Sequence, residues 1–403
     1  MNLIEIKEKL NFEDKFEKLN RRLRKNAMIA LFYERMAADI EFDDLPEEVI
    51  ASPYFKESSW TYHAGRGGLL QKKAHNVETC ADYMSGDYYA FQGVKDIQKV
   101  NLCRDRFCDN CQNTLSVQRF QKYEPILTKF VEDGYLIDHV VLTIPNVLIG
   151  DLSRTLERMF KAYKRLNIFL AGKKNVRNVD FSFYGYVGSI RALEITRNAE
   201  TGRYHPHFHC LFMRRPGAKL KGRNVNSYSF TRTDHRKASN DKPYLFSDFE
   251  ILLQKVWKLL YEGTTVNYSN IQELKIGYDV MLKNARGNYK EIFKYATKGL
   301  LSYDEDKSAV SCYTDFVLLV VALYHKRLIQ GYGCFYNMDF SDTIDTVSVD
   351  DLYLQIVKEL HFLESPIWFF DSRDEIKDEI KKKNITYISR KSLGTIGSDD
   401  YES

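Results

Sequence analysis

The sequence lacks a hydrophobic run long enough to cross a membrane. Its most apolar stretch, residues 316–323, is far shorter than the roughly 20 residues that a spanning helix needs. The N-terminal segment is charged and has no apolar run before a cleavage site, so a secretory signal peptide is not expected. These absences exclude an integral membrane protein and predict a cytoplasmic protein with no membrane partner.

Cysteine and histidine are also scarce. The seven cysteines are odd in number and locally clustered, which fits thiols or metal ligands in a reducing compartment better than a disulfide framework. Only nine histidines occur in 403 residues, and three of them lie within five positions of one another. Such clustering by chance is improbable and indicates a functional site.

Charge is balanced overall but not locally. The net charge is +4, yet residues 154–177 and residues 214–237 each carry eight basic residues against one acid. Residues 338–403 carry fifteen acids against eight bases. Blocks of this kind predict a basic working surface and an acidic C-terminal region.

The histidine cluster lies in residues 204–213, which have the alternating pattern of a β-strand. Strand side chains alternate between faces, so His207 and His209 share one face while Phe208 and Cys210 lie on the other. Two imidazoles at positions i and i+2 can reach the same divalent metal ion. An exposed polar strand is the alternative.

A second strand, residues 186–196, is followed by a hairpin turn at residues 198–203 that contains Gly202. Antiparallel pairing across this turn can bring Glu194 beside the two histidines, so Glu194 is the candidate third ligand. His205 is the alternative, and it ranks lower because Pro206 reorients it.

The cysteines follow a Cys-x4-Cys-x2-Cys pattern at Cys103, Cys108 and Cys111. A Cys-x2-Cys pair can hold one tetrahedral ion from a tight turn, as in structural zinc sites. Cys80 is the first choice for the fourth ligand and His75 the second. Three buried cysteines without metal, or a redox pair, are the alternatives; the redox pair is weaker because no βαβ pattern surrounds it.

Residues 289–301 are predicted to form a helix that ends near Gly299. Glu291, Tyr295 and Lys298 stand at i, i+4 and i+7 and therefore share one face. A carboxylate, a phenol and an ammonium aligned in this way can serve nucleophilic catalysis. A surface helix without chemistry is the alternative.

Basic residues form a stripe on a predicted helix at residues 151–170. The members of this basic stripe, at helical spacing, are Arg154, Arg158, Lys161 and Arg165. Few acids are interleaved with them, which favours phosphate binding over a merely solvated face. Arg214 and Arg215 begin a basic loop, residues 214–237, that either binds DNA or is a disordered insertion.

The pattern predicts further elements that frame these motifs. They are strands at residues 139–146 and 271–280, helices at residues 3–40, 247–261 (with Ser247 as N-cap) and 311–326, and a turn at residues 327–333.

Four motifs in this order resemble those of rolling-circle plasmid replication initiators of the HUH endonuclease superfamily. They are Leu142-Thr143 with Asn146, Glu194-Ile195-Thr196, residues 204–209 (Tyr-His-Pro-His-Phe-His), and residues 294–298 (Lys-Tyr-Ala-Thr-Lys). The likeness is greatest to the single-tyrosine bacterial plasmid group, and the cysteines and residues 326–333 extend it over roughly residues 75–337. The first sixty residues and the region after residue 338 are not covered.

The resemblance implies a chemistry. Tyr295 would nick one strand at the plasmid double-strand origin, stay linked to the 5′ phosphate and leave a 3′ hydroxyl for the host polymerase. Glu291 would activate water for the terminating cleavage, and Lys298 with the metal field would stabilise the phenolate. His207, His209 and Glu194 would hold Mg²⁺ or Mn²⁺, and the cysteines a structural Zn²⁺. The implied partners are origin DNA, single-stranded at the nick, with a host helicase and polymerase, and a homodimer is possible.

The implied fold is α+β: a central antiparallel sheet flanked by helices, with the tyrosine helix over the metal strand. We predict four regions: a helical extension (1–62), a cysteine-rich zinc-binding module (63–125), an HUH nuclease domain (126–337) and an acidic C-terminal region (338–403). A relaxase or transposase with the same chemistry, and a non-catalytic zinc-containing DNA-binding regulator, are the rival functions. The absence of a second tyrosine beside Tyr295 disfavours the two-tyrosine subtypes.

Overall fold

The structure is a computed structural model that describes residues 12–37, 67–80, 83–89, 94–198, 201–221, 229–231, 243–285, 289, 292–293, 309–336 and 367–372. Its principal helices are α1 (Phe12–Ala37), α2 (Gly67–Glu78), α3 (Asp109–Glu132), α4 (Leu152–Leu170), α5 (Asp248–Glu262), α6 (Tyr268–Glu273) and α7 (Ala309–Ala322). Its strands are β1 (Tyr83–Tyr89), β2 (Val94–Val100), β3 (Leu136–Leu142), β4 (Tyr186–Arg197), β5 (Tyr204–Arg214), β6 (Ser229–Thr231), β7 (Pro243–Leu245), β8 (Val280–Asn284), β9 (Ile329–Gly333) and β10 (Ile367–Ser372).

The chain divides into two compact units. The first comprises residues 1–119, 297–321 and 341–403, and the second comprises residues 120–296 and 322–340. Each unit is assembled from segments far apart in sequence. The four consecutive regions stay a prediction.

The second unit is built on a five-stranded sheet in the order β8-β3-β5-β4-β9. Every pair of neighbours is antiparallel, and the histidine strand β5 lies at the centre. Helices accompany this sheet, so the predicted α+β class with a central antiparallel sheet is confirmed.

The β4–β5 hairpin has the predicted register. Its turn is closed by a hydrogen bond from the Asn198 N–H to the Arg203 carbonyl, and Gly202 takes a positive φ of 66°. Glu194 stands directly opposite His207, and Ala192 opposite His209. Because directly opposed side chains project to the same side, the carboxylate and both imidazoles share what we call the histidine face of the sheet.

The other face, which we call the packed face, is covered by helices α4 and α5. Phe208 is fully buried there, with its ring 5.4 Å from that of Tyr163 on α4 and 6.0 Å from that of Trp257 on α5. The indole of Trp257 also donates a hydrogen bond to the carbonyl of Thr143, just after β3 (2.7 Å). Burial of these large rings fixes the face that β5 presents to the helices and leaves its histidines on the opposite side.

Away from its histidines, the histidine face is apolar. An apolar cluster joins sheet residues Ala192 and Leu211 to Tyr123 of α3 and to Ile292 and Phe293. The rings of Tyr123 and Phe293 are stacked with their centroids 5.8 Å apart. Ile292 and Phe293 are helical and fully buried, so this short stretch of the predicted catalytic helix packs on the same face as the histidines.

Helix α5 begins as the sequence predicts. The Glu250 N–H donates to the Ser247 hydroxyl and the Ser247 N–H donates to the Glu250 carboxylate, which is a complete capping box. Gly263 ends the helix with a positive φ of 80°.

Two predicted elements are wrong. Residues 271–280 are not a strand: Asn267 caps the short helix α6 by accepting from the Asn270 N–H (2.8 Å), and β8 begins only at Val280. Residues 327–333 are not simply a turn, because they include β9, which pairs with β4. Gly333 (φ 62°) and Gly188 make this pairing possible, since a Cβ on either would lie within 2.5 Å of backbone on the facing strand.

The first unit contains α1, α2, α7 and a three-stranded sheet in the order β10-β1-β2. The ring of Phe316 on α7 lies 4.8 Å from that of Tyr33 on α1 and 5.1 Å from that of Phe107. Part of the predicted acidic C-terminal region, β10, pairs with β1, which follows Cys80 by three residues in the chain. None of the helices that the structure describes combines the length and apolar character needed to cross a membrane.

Candidate metal centres

The three predicted metal ligands of the second unit meet on the histidine face. Glu194 Oε2 lies 2.9 Å from His207 Nε2 and 2.8 Å from His209 Nε2. All three side chains are buried, with 4%, 8% and 6% of their surface exposed, and their ligand atoms lie within 4.8 Å of one another. We call this group the metal triad.

His205 is not part of this group. Its backbone carbonyl lies 3.0 Å from Nδ1 of His207, and its own ring stacks on that of His207. Burial and the neighbouring His207 lower the pKa of His205. The structure therefore brings Glu194 rather than His205 to the histidine pair.

The hydrogen-bond pattern of the triad calls for a cation. A carbonyl oxygen only accepts, so Nδ1 of His207 must carry its proton. Nε2 of a neutral His207 then presents a lone pair to the Glu194 oxygen 2.9 Å away, and two lone pairs at that distance repel. A proton or a metal ion between them removes the repulsion, and a buried carboxylate with two imidazoles is a donor set that suits a divalent metal.

One histidine of this site was missed by the sequence analysis. His139 of β3 lies with its Nε2 3.1 Å from Nδ1 of His209, and the two rings stack with centroids 5.3 Å apart. The alternating strand pattern around His139 could have indicated its face, but not the strand order that puts β3 beside β5.

Four cysteines meet in the first unit, as predicted. The cysteine cluster consists of Cys80, Cys103, Cys108 and Cys111, all free thiols with ligand atoms within 4.8 Å of one another. Three of the sulfur–sulfur distances are 3.4, 3.5 and 3.7 Å. A tetrahedral ion with bonds of about 2.3 Å requires about 3.8 Å, so the cluster fits one such ion. His75 is exposed, and the structure brings Cys80 to the other three cysteines instead.

Donors from the surrounding chain point at the sulfurs. The backbone N–H of Arg104 donates to Cys111 (3.2 Å), and the side-chain amide of Asn26 on α1 donates to Cys108 (3.3 Å). Hydrogen bonds from the neighbouring thiols, that of Cys103 foremost, lower the pKa of Cys111. Donors of this kind stabilise thiolates, which are the form that binds metal.

Helix α1, for which the sequence predicts no chemistry, also holds the cysteine loop. Asp105, inside the loop, accepts hydrogen bonds from Tyr33 of α1 (2.9 Å) and Lys73 of α2 (3.2 Å). Burial and the adjacent Asp105 raise the pKa of Tyr33 well above its ordinary value, which keeps the phenol a donor. Lys25 of α1 pairs with Asp109 at 2.8 Å.

The predicted nucleophile and its helix partners, Tyr295, Glu291 and Lys298, lie outside the described residues. Their roles stay predictions.

The basic residues divide into two kinds. Arg154, Arg158 and Lys161 of the basic stripe are exposed on α4, and Arg165 is half-buried. Arg215 is also exposed.

Arg214 differs from these residues and requires a correction. Its guanidinium is buried and donates to the carboxylate of Asp138 (2.8 Å), which also accepts from the Tyr184 hydroxyl. A guanidinium held in this way ties β5 to β3, and it does not belong to the exposed basic surface.

The fold and site together define an α+β protein with a histidine–glutamate centre on an antiparallel sheet and a separate four-cysteine cluster. Comparison with known proteins shows what the chain is similar to. The sequence profile described as "Replication protein" matches residues 94–218, a segment that includes the metal triad and three of the four cysteines. This segment is therefore similar to the replication-protein (Rep) family, in line with the resemblance of its motifs.

Individual replication proteins are also similar to parts of the chain. A "Protein rep" of Streptococcus pneumoniae serotype 2 (strain D39 / NCTC 7466) is 24% identical over 282 residues, 66% of this chain and 70% of the relative. A "Protein rep" of Staphylococcus aureus is 27% identical over 226 residues, 55% of this chain and 78% of the relative. One of Bacillus sp is 28% identical over 142 residues, but this match covers only 43% of the relative. No solved structure gives a significant match to the chain.

Proposed function

We propose that this protein initiates rolling-circle replication of a plasmid by nicking one DNA strand at the double-strand origin. The observation that carries the proposal is the buried Glu194 carboxylate between His207 and His209, within the segment that matches the replication-protein family. In this proposal the fold is of the HUH endonuclease type, and Tyr295 is the nucleophile.

The metal triad fits Mg²⁺ or Mn²⁺. Adjacent ligands on an octahedral ion with bonds of about 2.1 Å are about 3 Å apart, and Glu194 lies 2.8 and 2.9 Å from the two imidazole nitrogens. Three protein ligands leave further positions open for phosphate oxygens. When bound, the ion would polarise the scissile phosphodiester.

Tyr295 would carry out the chemical step. Its phenolate attacks phosphorus, the bond to the 3′ oxygen breaks, and that oxygen leaves as a hydroxyl after taking up a proton. The product is a 5′-phosphotyrosine with a free 3′ hydroxyl. Phe293 supports this assignment, because it packs on the histidine face and precedes Tyr295 by two residues, which span at most about 7 Å of chain.

Glu291 and Lys298 have supporting roles in the proposal. Lys298 stabilises the Tyr295 phenolate, whose unperturbed pKa is about 10. A single tyrosine cannot perform two successive transesterifications by itself, so Glu291 acts as the base that activates water for the terminating cleavage.

The basic stripe would hold duplex DNA beside the nicked strand. Its exposed members lie on the outer side of α4, whose inner side covers the packed face, so the stripe and the metal triad lie on opposite sides of the sheet. We therefore propose that single-stranded DNA occupies the histidine face while basic residues of α4 contact phosphates of a separate duplex segment. The structural zinc of the cysteine cluster, the host helicase and polymerase, and a homodimer are further parts of this proposal.

The test is a nicking assay on a supercoiled plasmid that carries the gene of this protein and its origin, with Mn²⁺ or Mg²⁺. The expected products are open circles and a protein–DNA adduct that survives denaturation by detergent. Tyr295→Phe should abolish both the nick and the adduct, because phenylalanine has no nucleophilic oxygen.

Tyr336→Phe is the matched control, since Tyr336 is 71% exposed and belongs to no proposed site; it should nick normally. Nicking by Tyr295→Phe would refute the assignment of the nucleophile. Origin binding by the wild-type protein without any nick would favour the rival hypothesis, a non-catalytic DNA-binding regulator.

A further inference from the structure

We propose that His139 is a positioning residue that fixes the ring of His209, so that Nε2 of His209 presents its lone pair to the metal ion. The proposal rests on the metal triad of the proposed function but assigns a role to a residue outside it.

The strand register places His139 beside His209. Val141 of β3 stands opposite His209 and His139 stands opposite Leu211, so His139 is the diagonal neighbour of His209 on the histidine face. Its Nε2 approaches Nδ1 of His209 to 3.1 Å, and the planes of the two rings differ by 21°. This is hydrogen-bond distance, and it joins the ring nitrogen of His209 that points away from Glu194.

The two metal-binding histidines are therefore oriented by different partners. Nδ1 of His207 faces a backbone carbonyl, which fixes its proton on Nδ1 and leaves Nε2 for the metal. Nδ1 of His209 faces another imidazole, which can either donate or accept. With Nε2 of His209 on a metal ion, Nδ1 must carry the proton, and Nε2 of His139 must then accept a hydrogen bond from this N–H.

This arrangement makes His139 the adjustable part of the site. A backbone carbonyl cannot be changed by substitution, whereas the acceptor for His209 is a side chain. Without that acceptor, the buried Nδ1–H of His209 loses this hydrogen bond and the ring loses its preferred tautomer and orientation. Loss of such a partner of a metal ligand typically weakens metal binding by about 10- to 100-fold.

The experiment compares His139→Leu and His139→Gln in the full-length protein. Mn²⁺ binding is measured without DNA by electron paramagnetic resonance titration. Leucine removes the acceptor, so its Kd should rise about 10- to 100-fold. The side-chain oxygen of glutamine can take the place of Nε2, so His139→Gln should restore most of the affinity. His75→Leu, at an exposed histidine on α2, is the control and should bind as the wild type does.

A spectroscopic readout separates positioning from general destabilisation. In ¹⁵N-histidine spectra recorded at an Mg²⁺ concentration that just saturates the wild type, His209 should be in the Nδ1–H form in the wild type and in His139→Gln. In His139→Leu, whose site this concentration leaves partly empty, His209 should be a mixture of tautomers. Thermal unfolding in a chelator should be similar for the two variants, because neither change removes a contact that the metal-free sheet needs for its stability.

Wild-type Mn²⁺ affinity in His139→Leu would overturn the proposal, and so would equal losses in both variants accompanied by lower unfolding temperatures. Direct coordination of the metal by the His139 ring would also overturn it. Failure of the proposed function is distinguishable, because a wild-type protein that binds Mn²⁺ through His209 but never nicks DNA contradicts the nickase assignment and leaves the role of His139 intact.

Discussion

The two candidate metal centres of this protein differ in how many coordination positions they would leave open on a bound ion. The cysteine cluster offers four sulfurs, enough to complete a tetrahedron around one ion. The metal triad supplies two nitrogens and a carboxylate, which leave an octahedral ion with room for substrate oxygens. A closed set of ligands suits a structural ion, and an open set suits a catalytic one.

The backbone that carries the ligands also differs between the two centres. Cys103 and Cys108 lie in a loop, where Arg104 takes a positive φ of 59°, and Cys111 follows in the first turn of α3. The triad stands on two long paired strands whose register is set by the hairpin and by the packed face. Ion binding should therefore contribute to folding at the cysteine cluster and mainly to chemistry at the triad.

The largest expected effect comes from Cys108→Ser. Loss of one thiolate should release the ion, and because the binding energy of such a site is also folding energy, the free energy of unfolding of the first unit should fall by at least about 4 kcal/mol. Zinc content by mass spectrometry and unfolding of the full chain by circular dichroism measure both effects.

Cys334→Ser is the control for this change, since Cys334 is exposed and belongs to the second unit. It should alter the free energy of unfolding by no more than about 0.5 kcal/mol. If Cys108→Ser kept one zinc per chain and unfolded as the wild type does, the zinc would be bound elsewhere and the cluster would be merely buried thiols.

Both centres were largely predictable, because each depends on short-range patterns. Period-two alternation put His207 and His209 on one face, and the hairpin brought Glu194 to them. The Cys-x2-Cys spacing identified the cysteine loop, and the structure brings Cys80, a more distant cysteine, to it. Local geometry decides such features, so the sequence alone reveals them.

Features that depend on long-range pairing were not predictable. The role of His139 depends on β3 lying next to β5, about seventy residues away in sequence. The sequence of β9 predicts a turn, because its glycines indicate flexibility. Only the structure shows that the β9 backbone lies so close to the β4 backbone that glycine is needed. The position of Arg214 at the start of a basic loop predicts a DNA contact. Its partner Asp138 lies on another strand, so the sequence does not reveal their ion pair.

A second change tests the triad without disturbing the fold. Glu194→Gln keeps the shape of the side chain and removes its charge, and the amide N–H can still donate to a neutral imidazole. Mn²⁺ affinity should fall by at least about 100-fold, since the loss of a direct ligand should exceed the loss of a supporting residue. The unfolding temperature in a chelator should change little, which is the reverse of the expectation for Cys108→Ser.

Glu157→Gln provides the matched control, because Glu157 is an exposed acid on α4 that pairs with Lys326 at 3.5 Å. It should leave both Mn²⁺ affinity and nicking unchanged. A large loss of stability in Glu194→Gln, with Mn²⁺ still bound, would contradict the expected difference between the two centres, because Glu194 would then stabilise the fold and not bind the ion.

The smallest effect is expected from His75→Ala, and it decides which residue completes the cysteine cluster. His75 is exposed near the end of α2, and its carbonyl, which alanine retains, accepts from the backbone and hydroxyl of Thr79. Cys80 instead places its sulfur 3.5 Å from that of Cys108 and 3.7 Å from that of Cys111. We therefore expect His75→Ala to keep one zinc per chain and to unfold within about 0.5 kcal/mol of the wild type, whereas Cys80→Ser loses the ion. Zinc loss in His75→Ala with zinc retention in Cys80→Ser would show that His75 is the fourth ligand, because removal of a direct ligand is expected to release the ion.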